Sequence, residues 1–275
     1  MRKKILQFIR KHRGAAPLRL IAAGCERYLR AWHNEGFYEF SKNGEDFVLK
    51  TFLAWKGSQP YVVWDVGANH GQWAVEARGI LGNVTVVSFE LIEPIAEALE
   101  RTVDPTWHRV IRSGLSDAEG ELEVLWNQTH DTTTSLAPRL ESRWFQGAEL
   151  VALKCRLSTV DSFIAGGEPP PTLLKIDVEG ADAAVLRGAR GLLTSPAAPD
   201  MIQFEYGTTW ISFGELLRPT AKLLADAGYR IGRVYPDHVE FRAYSLADEH
   251  FRMGNYIAAK DVGLIERLAA NRKAA

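Results

Sequence analysis

YVVWDVGANHGQWAVEARGIL, residues 61–81, combines a run of β-branched and aromatic residues, a glycine-rich turn and a helical pattern. The first part predicts a strand over residues 61–66, and the last part predicts a helix over residues 71–81. Gly67 and Gly71 let the backbone turn tightly and let a ligand approach it closely, at the place where open α/β sheets bind ligands. The stretch therefore predicts a strand, a ligand-binding turn and a helix in succession.

The same alternation of strand and helix patterns continues along the chain. Further strands are predicted over residues 84–90, 108–115, 172–178, 201–207, 229–235 and 254–260, and helices over 94–103, 181–193 and 214–228, the last with a kink at Pro219. Two runs of alternating polarity, 121–126 and 150–157, predict an inserted hairpin or edge strands around a long polar loop, a type of loop that is often functional. This rhythm predicts an α/β fold, a mostly parallel sheet with helices on both faces.

Composition and charge narrow the class of protein. The 275 residues include 33 basic and 34 acidic side chains, so no global basic excess points to nucleic acid. Cys25 and Cys155 are the only cysteines, too few for a disulfide framework or a cysteine-rich zinc site. No apolar run approaches the roughly 18 residues that a membrane-spanning helix needs. We expect a soluble, cytoplasmic protein, with membrane association left open.

The first thirty residues differ from the rest. Their only acidic residue is Glu26. Their basic residues are Arg2, Lys3, Lys4, Arg10, Lys11, Arg13, Arg19, Arg27 and Arg30. Interleaved apolar residues predict a basic amphipathic helix, followed by a second helix after Pro17. We predict a helical N-terminal extension over residues 1–40 and a catalytic domain over 41–275. The extension is expected to contact an anionic membrane surface or a protein partner, or else to cover the catalytic domain.

The turn and the second strand together predict a nucleoside site. Glu90 ends that strand, where a carboxylate can accept hydrogen bonds from both ribose hydroxyls. Asp65 would repel the pyrophosphate of a dinucleotide but would attract the ammonium and sulfonium groups of S-adenosylmethionine. The predicted cofactor is therefore S-adenosylmethionine, with Gly67, Asn69 and Gly71 as further contacts of the turn.

A second group of candidates follows the third strand. Leu115 and Ser116 lie where an apolar side chain and a backbone amide could hold the adenine ring. A simple turn explains the same residues equally well.

Asp177 and Glu179 are candidates for the chemistry of methyl transfer. Transfer from a sulfonium requires alignment, exclusion of water and, for a hydroxyl acceptor, removal of a proton. Both carboxylates end the fourth strand, and alternation along the strand would point them the same way. Alternatively, they cap the helix that begins near Ala181. Lys175 is predicted to offset their charge.

Three other residues complete the predicted site. His130, beside Asp131 in the long polar loop, is an alternative general base. His70 lies in the glycine turn, where a helix-start role is favoured, and Glu205 ends the fifth strand on the same rim, where it could bind acceptor hydroxyls. Asp177, Glu179 and His130 could also hold Mg²⁺, but no spacing demands it, and no metal is assigned.

The sequence resembles the FkbM family of methyltransferases over most of residues 41–207. The matching pieces are NGEDFVL, VVWDVGANHGQW, VSFE, SGLSDAEGELEV, TTTSL, LSTVDSF, LLKIDVEGADAAVLRGA and IQFEYG, of which LKIDVEG is the most specific. The resemblance implies a class I methyltransferase (Rossmann-like) sheet, S-adenosylmethionine at Asp65, Gly67 and Glu90, and methylation of a hydroxyl oxygen on a sugar or natural product. Leu91 stands where the family usually has Pro, a change that affects the shape of the loop and leaves the carboxylate intact.

The leading interpretation is an O-methyltransferase acting on a glycan or another hydroxylated small molecule. A non-catalytic nucleoside-binding scaffold and an NAD(P)-dependent oxidoreductase are the alternatives. Intact Asp65, Glu90, Asp177 and Glu179 argue against the first, and the lack of a Tyr-x-x-x-Lys proton relay in the expected helix argues against the second. The sequence leaves the acceptor and the oligomeric state open.

Overall fold

The computed structural model describes residues 2–131, 134–137 and 145–270. Its strands are β1 (Tyr61–Val66), β2 (Val84–Glu90), β3 (His108–Arg112), β4 (Gly114–Leu115), β5 (Gly120–Asn127), β6 (Leu150–Ser158), β7 (Leu173–Ile176), β8 (Met201–Tyr206), β9 (Arg230–Tyr235), β10 (His238–Phe241) and β11 (Gly254–Ala259).

Helices precede, connect and follow these strands. They are α1 (Arg2–His12), α2 (Ala16–Trp32), α3 (Phe40–Asn43), α4 (Glu45–Lys56), α5 (Gln72–Leu81), α6 (Glu93–Thr102), α7 (Val160–Ala165), α8 (Asp182–Arg187), α9 (Arg190–Thr194), α10 (Leu217–Asp226) and α11 (Val262–Ala269), with 3₁₀-helices at Thr208–Phe213 and Leu246–Asp248.

Eight strands form one sheet in the order β10-β9-β11-β8-β7-β1-β2-β3. The five from β8 to β3 are parallel, whereas β11 pairs antiparallel with both of its neighbours and β10 pairs antiparallel with β9. The mostly parallel sheet predicted from the sequence is confirmed. Because β2 and β7 flank β1 on opposite sides, the strand order reverses at β1, where open sheets of this kind bind ligands.

Two hydrophobic cores cover the two faces of this sheet. Alternation along β1 directs Val63 to the face covered by α4, α5 and α11, and Trp64 to the face covered by α7, α8, α9 and α10. Residues 114–115 join β5 and β6 in a smaller sheet, against which Ile95 of α6 and Ile92, just before this helix, pack. Helices on both faces, as predicted, complete the layers.

Several predicted elements have different bounds in the structure. The strand expected over 108–115 divides at Ser113 because residues 114–115 pair with β6 in the smaller sheet. The helix expected over 181–193 is two helices, α8 and α9. Pro219 does not kink a helix, because α10 begins only at Leu217 and a proline is tolerated in the first turn. β10 was not predicted, and the runs 121–126 and 150–157 form the antiparallel pair β5–β6.

The helices α1 and α2 lie apart from both cores and contain no buried residue among the described side chains. The chain returns to the main body at Asn34, whose side-chain amide donates to the carbonyls of Asn43 and Val234. No helix among the described residues is long and apolar enough to cross a membrane. The boundary between extension and catalytic domain near residue 40 stays a prediction.

Candidate active site

A cavity of about 310 Å³ opens at the carboxyl ends of β1, β2, β7 and β8. The turn after β1, the end of β2 and the loops after β7 and β8 form its wall, and residues 134–136 form one side of it. Because these strands are parallel, their carboxyl ends meet at one edge, so residues far apart in sequence share one cavity. Its lining residues used below are Gly67, Asn69, His70, Glu90, Leu91, Ile92, Leu115, Ser135, Leu136, Leu157, Lys175, Asp177, Glu179 and Glu205.

Glu90 is held rigidly in the cavity wall. Its Oε2 accepts a hydrogen bond from the backbone N–H of Asn69 at 2.8 Å, and its Oε1 accepts one from that of Ile92 at 2.8 Å. Burial raises the pKa of Glu90, although these two bonds act to lower it. Each oxygen keeps a second acceptor position. A fixed carboxylate of this kind can accept from both hydroxyls of a ribose.

Leucine and isoleucine side chains surround the cavity near Glu90. They are Leu91, Ile92, Leu115, Leu136 and Leu157. An apolar surface beside a carboxylate suits a nucleoside, whose base is flat and whose ribose is polar. The backbone N–H of Ser116, predicted to hold adenine, instead donates to the carbonyl of Ser158 at 2.8 Å. Leu115 lines the cavity, so its contact with adenine stays a prediction, whereas the amide of Ser116 is already used by the smaller sheet.

The three predicted contact residues of the glycine turn, Gly67, Asn69 and Gly71, have different roles in the structure. Gly67 has φ +79°, and a Cβ there would lie 1.9 Å from the carbonyl oxygen of Asp177. Only glycine therefore allows the loop after β1 to touch the loop after β7. Asn69, at φ +46°, lines the cavity and holds Glu90. Gly71 instead packs under Leu99, where a Cβ would meet Cδ1 at 2.5 Å. Gly71 therefore serves helix packing.

Asp65 lies behind the cavity wall rather than in it. Its side chain is fully buried, and Oδ1 is 2.9 Å from the Nζ of Lys175 on the neighbouring strand. The contact is an ion pair without hydrogen-bond geometry, and neither oxygen of Asp65 has a hydrogen-bond partner among the described residues. Burial acts to lower the pKa of Lys175, but Asp65 and Asp177 outweigh it and hold that pKa above its usual value. Lys175 thus neutralises Asp65, which weakens the predicted attraction of Asp65 for a cationic cofactor.

A buried network of polar side chains, Glu45, Trp73 and Gln203, lies next to Lys175. Glu45, at the start of α4, accepts hydrogen bonds from Trp73 Nε1 at 3.0 Å and from the side-chain amide of Gln203. Gln203 stands directly beside Lys175 in the sheet register, and the Lys175 ammonium lies 5.7 Å from the Trp73 ring. Burial raises the pKa of Glu45. The network joins α4, α5, β7 and β8 beneath the cavity.

Asp177, Glu179 and Glu205, from the loop after β7 and the end of β8, form an acidic rim of the cavity. β7 ends at Ile176, so Asp177 and Glu179 belong to a turn in which Glu179 has φ +54°. The prediction that strand alternation aligns them is therefore wrong, although both side chains reach the cavity. The N-cap of α8, Ala181, has no side-chain cap bond, and the acidic residue in its first turn is Asp182.

Asp182 ties the two loops of the rim together. It is fully buried, and its two oxygens accept from the backbone N–H of Gly180 and of Glu205, each at 3.2 Å. Burial, with Asp177 nearby, raises its pKa well above the usual value. Glu205 behaves alike: burial, and then the charges of Asp177 and Glu179, raise its pKa well above 4.5. A raised pKa is typical of carboxyl groups that act as acids or bases, which makes Glu205 a candidate for proton exchange on this rim.

The long polar loop contributes a side of the cavity through Ser135, whose hydroxyl donates to the carbonyl of Glu179 at 2.8 Å. His70 lines the cavity and pairs with Asp131 at 2.7 Å. His130, the alternative base, lies outside the cavity lining, and its backbone N–H donates to Asn127. Thr132 and Thr133 of the TTTSL motif lie outside the described residues.

The described part of the chain contains no group of three or more His, Cys, Asp or Glu side chains placed to hold a metal ion. The cavity lining instead combines fixed acceptors, an apolar end and carboxylates. With Lys175 paired to Asp65, the remaining charged rim favours a cation over a pyrophosphate. These residues fit a nucleoside that carries a positive charge.

The model of the family described as the methyltransferase FkbM domain matches residues 65–231, more than half of the chain. The chain belongs to this FkbM family. The resemblance inferred from the sequence is thereby confirmed, as is the class I methyltransferase fold. S-adenosylmethionine is the cofactor of this methyltransferase, and the oxidoreductase alternative is wrong. Which residues contact the cofactor stays a prediction.

Three known proteins illustrate the similarity. The hexuronic acid methyltransferase AglP of Haloferax volcanii is 27% identical over 203 residues, which cover 69% of this chain and 77% of AglP. The solved FkbM methyltransferase of Methylobacillus flagellatus has a TM-score of 0.47 and 17% identity, over 76% of this chain and 47% of that one, so this chain spans about half of its length. Aeropyrum pernix fibrillarin, solved with bound S-adenosyl-L-methionine, has a TM-score of 0.40 and 14% sequence identity, over 85% of this chain and 74% of fibrillarin.

Sequence reasoning missed the buried supports of the site. Glu45, Gln203 and Asp182 lie within the matching pieces NGEDFVL, IQFEYG and LLKIDVEGADAAVLRGA, but none was singled out, because their partners lie on other elements. The pairing of Asp65 with Lys175 depends on the register between β1 and β7, which the sequence does not specify. The sequence did offer one signal for this pair, because β1 and β7 each carry a single charged residue, Asp65 and Lys175, near the carboxyl end of an apolar run.

Proposed function

We propose that this FkbM methyltransferase methylates a hydroxyl oxygen of a sugar, with Glu205 as the general base. The acidic rim of Asp177, Glu179 and Glu205 supports the proposal most directly. A neutral hydroxyl is a weak nucleophile and needs a base, whereas a carboxylate acceptor would not. The similarity to a hexuronic acid methyltransferase supports a sugar acceptor.

The cofactor supplies a methyl group already activated by the sulfonium. The chain's own residues do the remaining work in this proposal. Glu90 binds the ribose, and the leucines around Leu115 exclude water from the adenine ring. Asp177 faces the positively charged sulfonium. Glu205 takes the acceptor proton, and Glu179 orients the acceptor hydroxyl. Asp182 holds the Glu205 backbone in place through its bond to that N–H.

Labelled cofactor and a panel of oligosaccharides ending in neutral hexoses or hexuronic acids test the acceptor class. We expect a base-stable methyl ether on a sugar hydroxyl, located by mass spectrometry and nuclear magnetic resonance. A base-labile methyl ester, or methylation of nitrogen only, would contradict the proposal. Turnover should be unchanged by chelators, because no step assigned to these residues uses a metal.

Single-turnover rates identify the base. Glu205→Gln should keep its affinity for S-adenosylmethionine yet lose about 10²-fold or more in the rate of transfer, the usual scale of positioned proton removal. Wild-type turnover should fall as the pH decreases through the raised pKa of Glu205, because the base must be ionised. Asp177→Asn and Glu179→Gln serve as comparisons from the same rim. Near-wild-type transfer by Glu205→Gln would remove it as the base and leave Asp177, Glu179 and then His130 to be tested.

A further inference from the structure

The helices α1 and α2 each expose apolar side chains along one face, which together we call the apolar stripe. In α2 the stripe recurs every three to four residues and contains Leu18, Ile21, Cys25, Tyr28, Leu29 and Trp32. Ile21 is 61% exposed and Trp32 63% exposed, although side chains of these types are normally buried. α1 adds Ile5, Phe8 and Ile9, which are also exposed. Nothing in the described part of the chain covers this stripe.

The opposite faces of the two helices are basic. Residues 3–32 contain Lys3, Lys4, Arg10, Lys11, Arg13, Arg19, Arg27 and Arg30 against the single acid Glu26. Glu26 is itself paired with Arg252 of the main body at 3.1 Å. A helix with an apolar stripe, a basic face and terminal aromatic rings has the properties of one that lies in the surface of an anionic membrane.

From these observations we propose that α1 and α2 dock the enzyme onto an anionic lipid surface. Apolar side chains of the stripe enter the interface, and the flanking arginines and lysines contact phosphate head groups. Pairing with a second copy is disfavoured because it would bring two sets of eight basic residues together. The proposal does not depend on which hydroxyl the enzyme methylates.

The docked helices would lie beside the opening of the cavity. Arg233 is buried, and its guanidinium donates to the carbonyl of His33, directly after α2, and to that of Met253 at 2.7 Å. Met253 lines the cavity, and so does Tyr38, six residues beyond the end of α2. One buried arginine thus connects the membrane-facing helix to the cavity rim. Docking would bring acceptors held at the lipid surface close to the cavity.

Cosedimentation of the full chain with lipid vesicles tests the proposal. We compare phosphatidylcholine alone with phosphatidylcholine containing about a third phosphatidylglycerol, at about 0.1 M and 0.5 M salt. The wild type should bind the anionic vesicles and should bind them less at the higher salt concentration. Ile21→Glu should bind at least about tenfold more weakly, because a charge replaces an apolar side chain that would enter the lipid on docking.

Leu20→Glu is the matched control. It makes the same change of charge one residue away in the same helix, but Leu20 shares a face with Arg27, seven residues on, rather than with the stripe. It should weaken binding by no more than about fivefold, the effect of about 1 kcal/mol for one charge near the surface. Equal binding by the two variants, or no wild-type binding to anionic vesicles, would overturn the proposal. So would a salt-insensitive dimer that Ile21→Glu dissociates in the absence of vesicle binding. Circular dichroism establishes that each variant is folded.

Discussion

The Asp65–Lys175 pair shows how a site residue inferred from charge alone can have a structural task instead. Both side chains are almost completely buried and 2.9 Å apart. Replacing either partner leaves the other as an uncompensated buried charge. Asp65 keeps the ammonium of Lys175 in place beneath the glycine turn. We therefore expect the rim carboxylates, rather than Asp65, to attract the cofactor.

Asp65→Asn should lower the free energy of unfolding by about 3–5 kcal/mol, because Lys175 would remain buried without its partner. Adding Lys175→Met in the same chain should restore part of the loss. Asp46→Asn is the matched control, because Lys50 also lies 2.9 Å from that carboxylate but is 64% exposed, and an exposed pair contributes less than about 1 kcal/mol. Urea denaturation measures all three. Equal losses at the two sites would contradict the structural role.

Glu205 should leave a signature in the pH dependence of stability. A carboxyl whose pKa is raised in the folded state binds more protons folded than unfolded. Its contribution to stability is present below about pH 4.5 and is lost as the pH rises through the raised pKa. Glu205→Gln should therefore melt increasingly higher than the wild type as the pH rises, by about 2–4 °C for each kcal/mol. A melting difference that does not change with pH would refute this prediction.

At the scale of elements, the sequence predicts regular segments well and their junctions poorly. β1 and β2 have the predicted bounds because the β-branched run of β1 ends at Gly67 and that of β2 ends shortly before the helix that Pro94 starts. β10 was missed because four residues give too short an alternating pattern. α8 and α9 appear as one helix in the sequence because Gly188 and Ala189 do not interrupt the apolar periodicity.

The contact between the loops after β1 and β7 depends on Gly67. A methyl group there would meet the Asp177 carbonyl at 1.9 Å, and φ is +79°. Gly228 has φ +88°, but a Cβ there meets nothing within 4 Å. We expect Gly228→Ala to cost about 1–2 kcal/mol in the free energy of unfolding and Gly67→Ala at least twice as much, with weaker cofactor binding. Thermal melting and cofactor titration measure the difference, and similar losses at both positions would argue against the contact.

At the scale of the whole molecule, the site exists only because the sheet reverses its strand order at β1. The reversal brings Glu90, from the strand on one side, opposite Glu205, from a strand on the other. Local patterns predicted the parallel sheet and the position of Glu90. They could not predict that Asp182 connects the loops after β7 and β8, because that contact joins residues 23 positions apart through a buried side chain.

The placement of the cofactor is the central claim, and Glu90 carries it. Two hydrogen bonds to a charged acceptor contribute about 1.5–3 kcal/mol each, so Glu90→Ala should weaken S-adenosylmethionine by about a hundredfold or more. Glu93→Ala, the same change three residues along on an exposed side chain, is the control. Calorimetric titration of S-adenosylmethionine into the folded proteins provides the test. The account predicts near-wild-type affinity for Glu93→Ala and a large loss for Glu90→Ala, whereas wild-type affinity for both would contradict it.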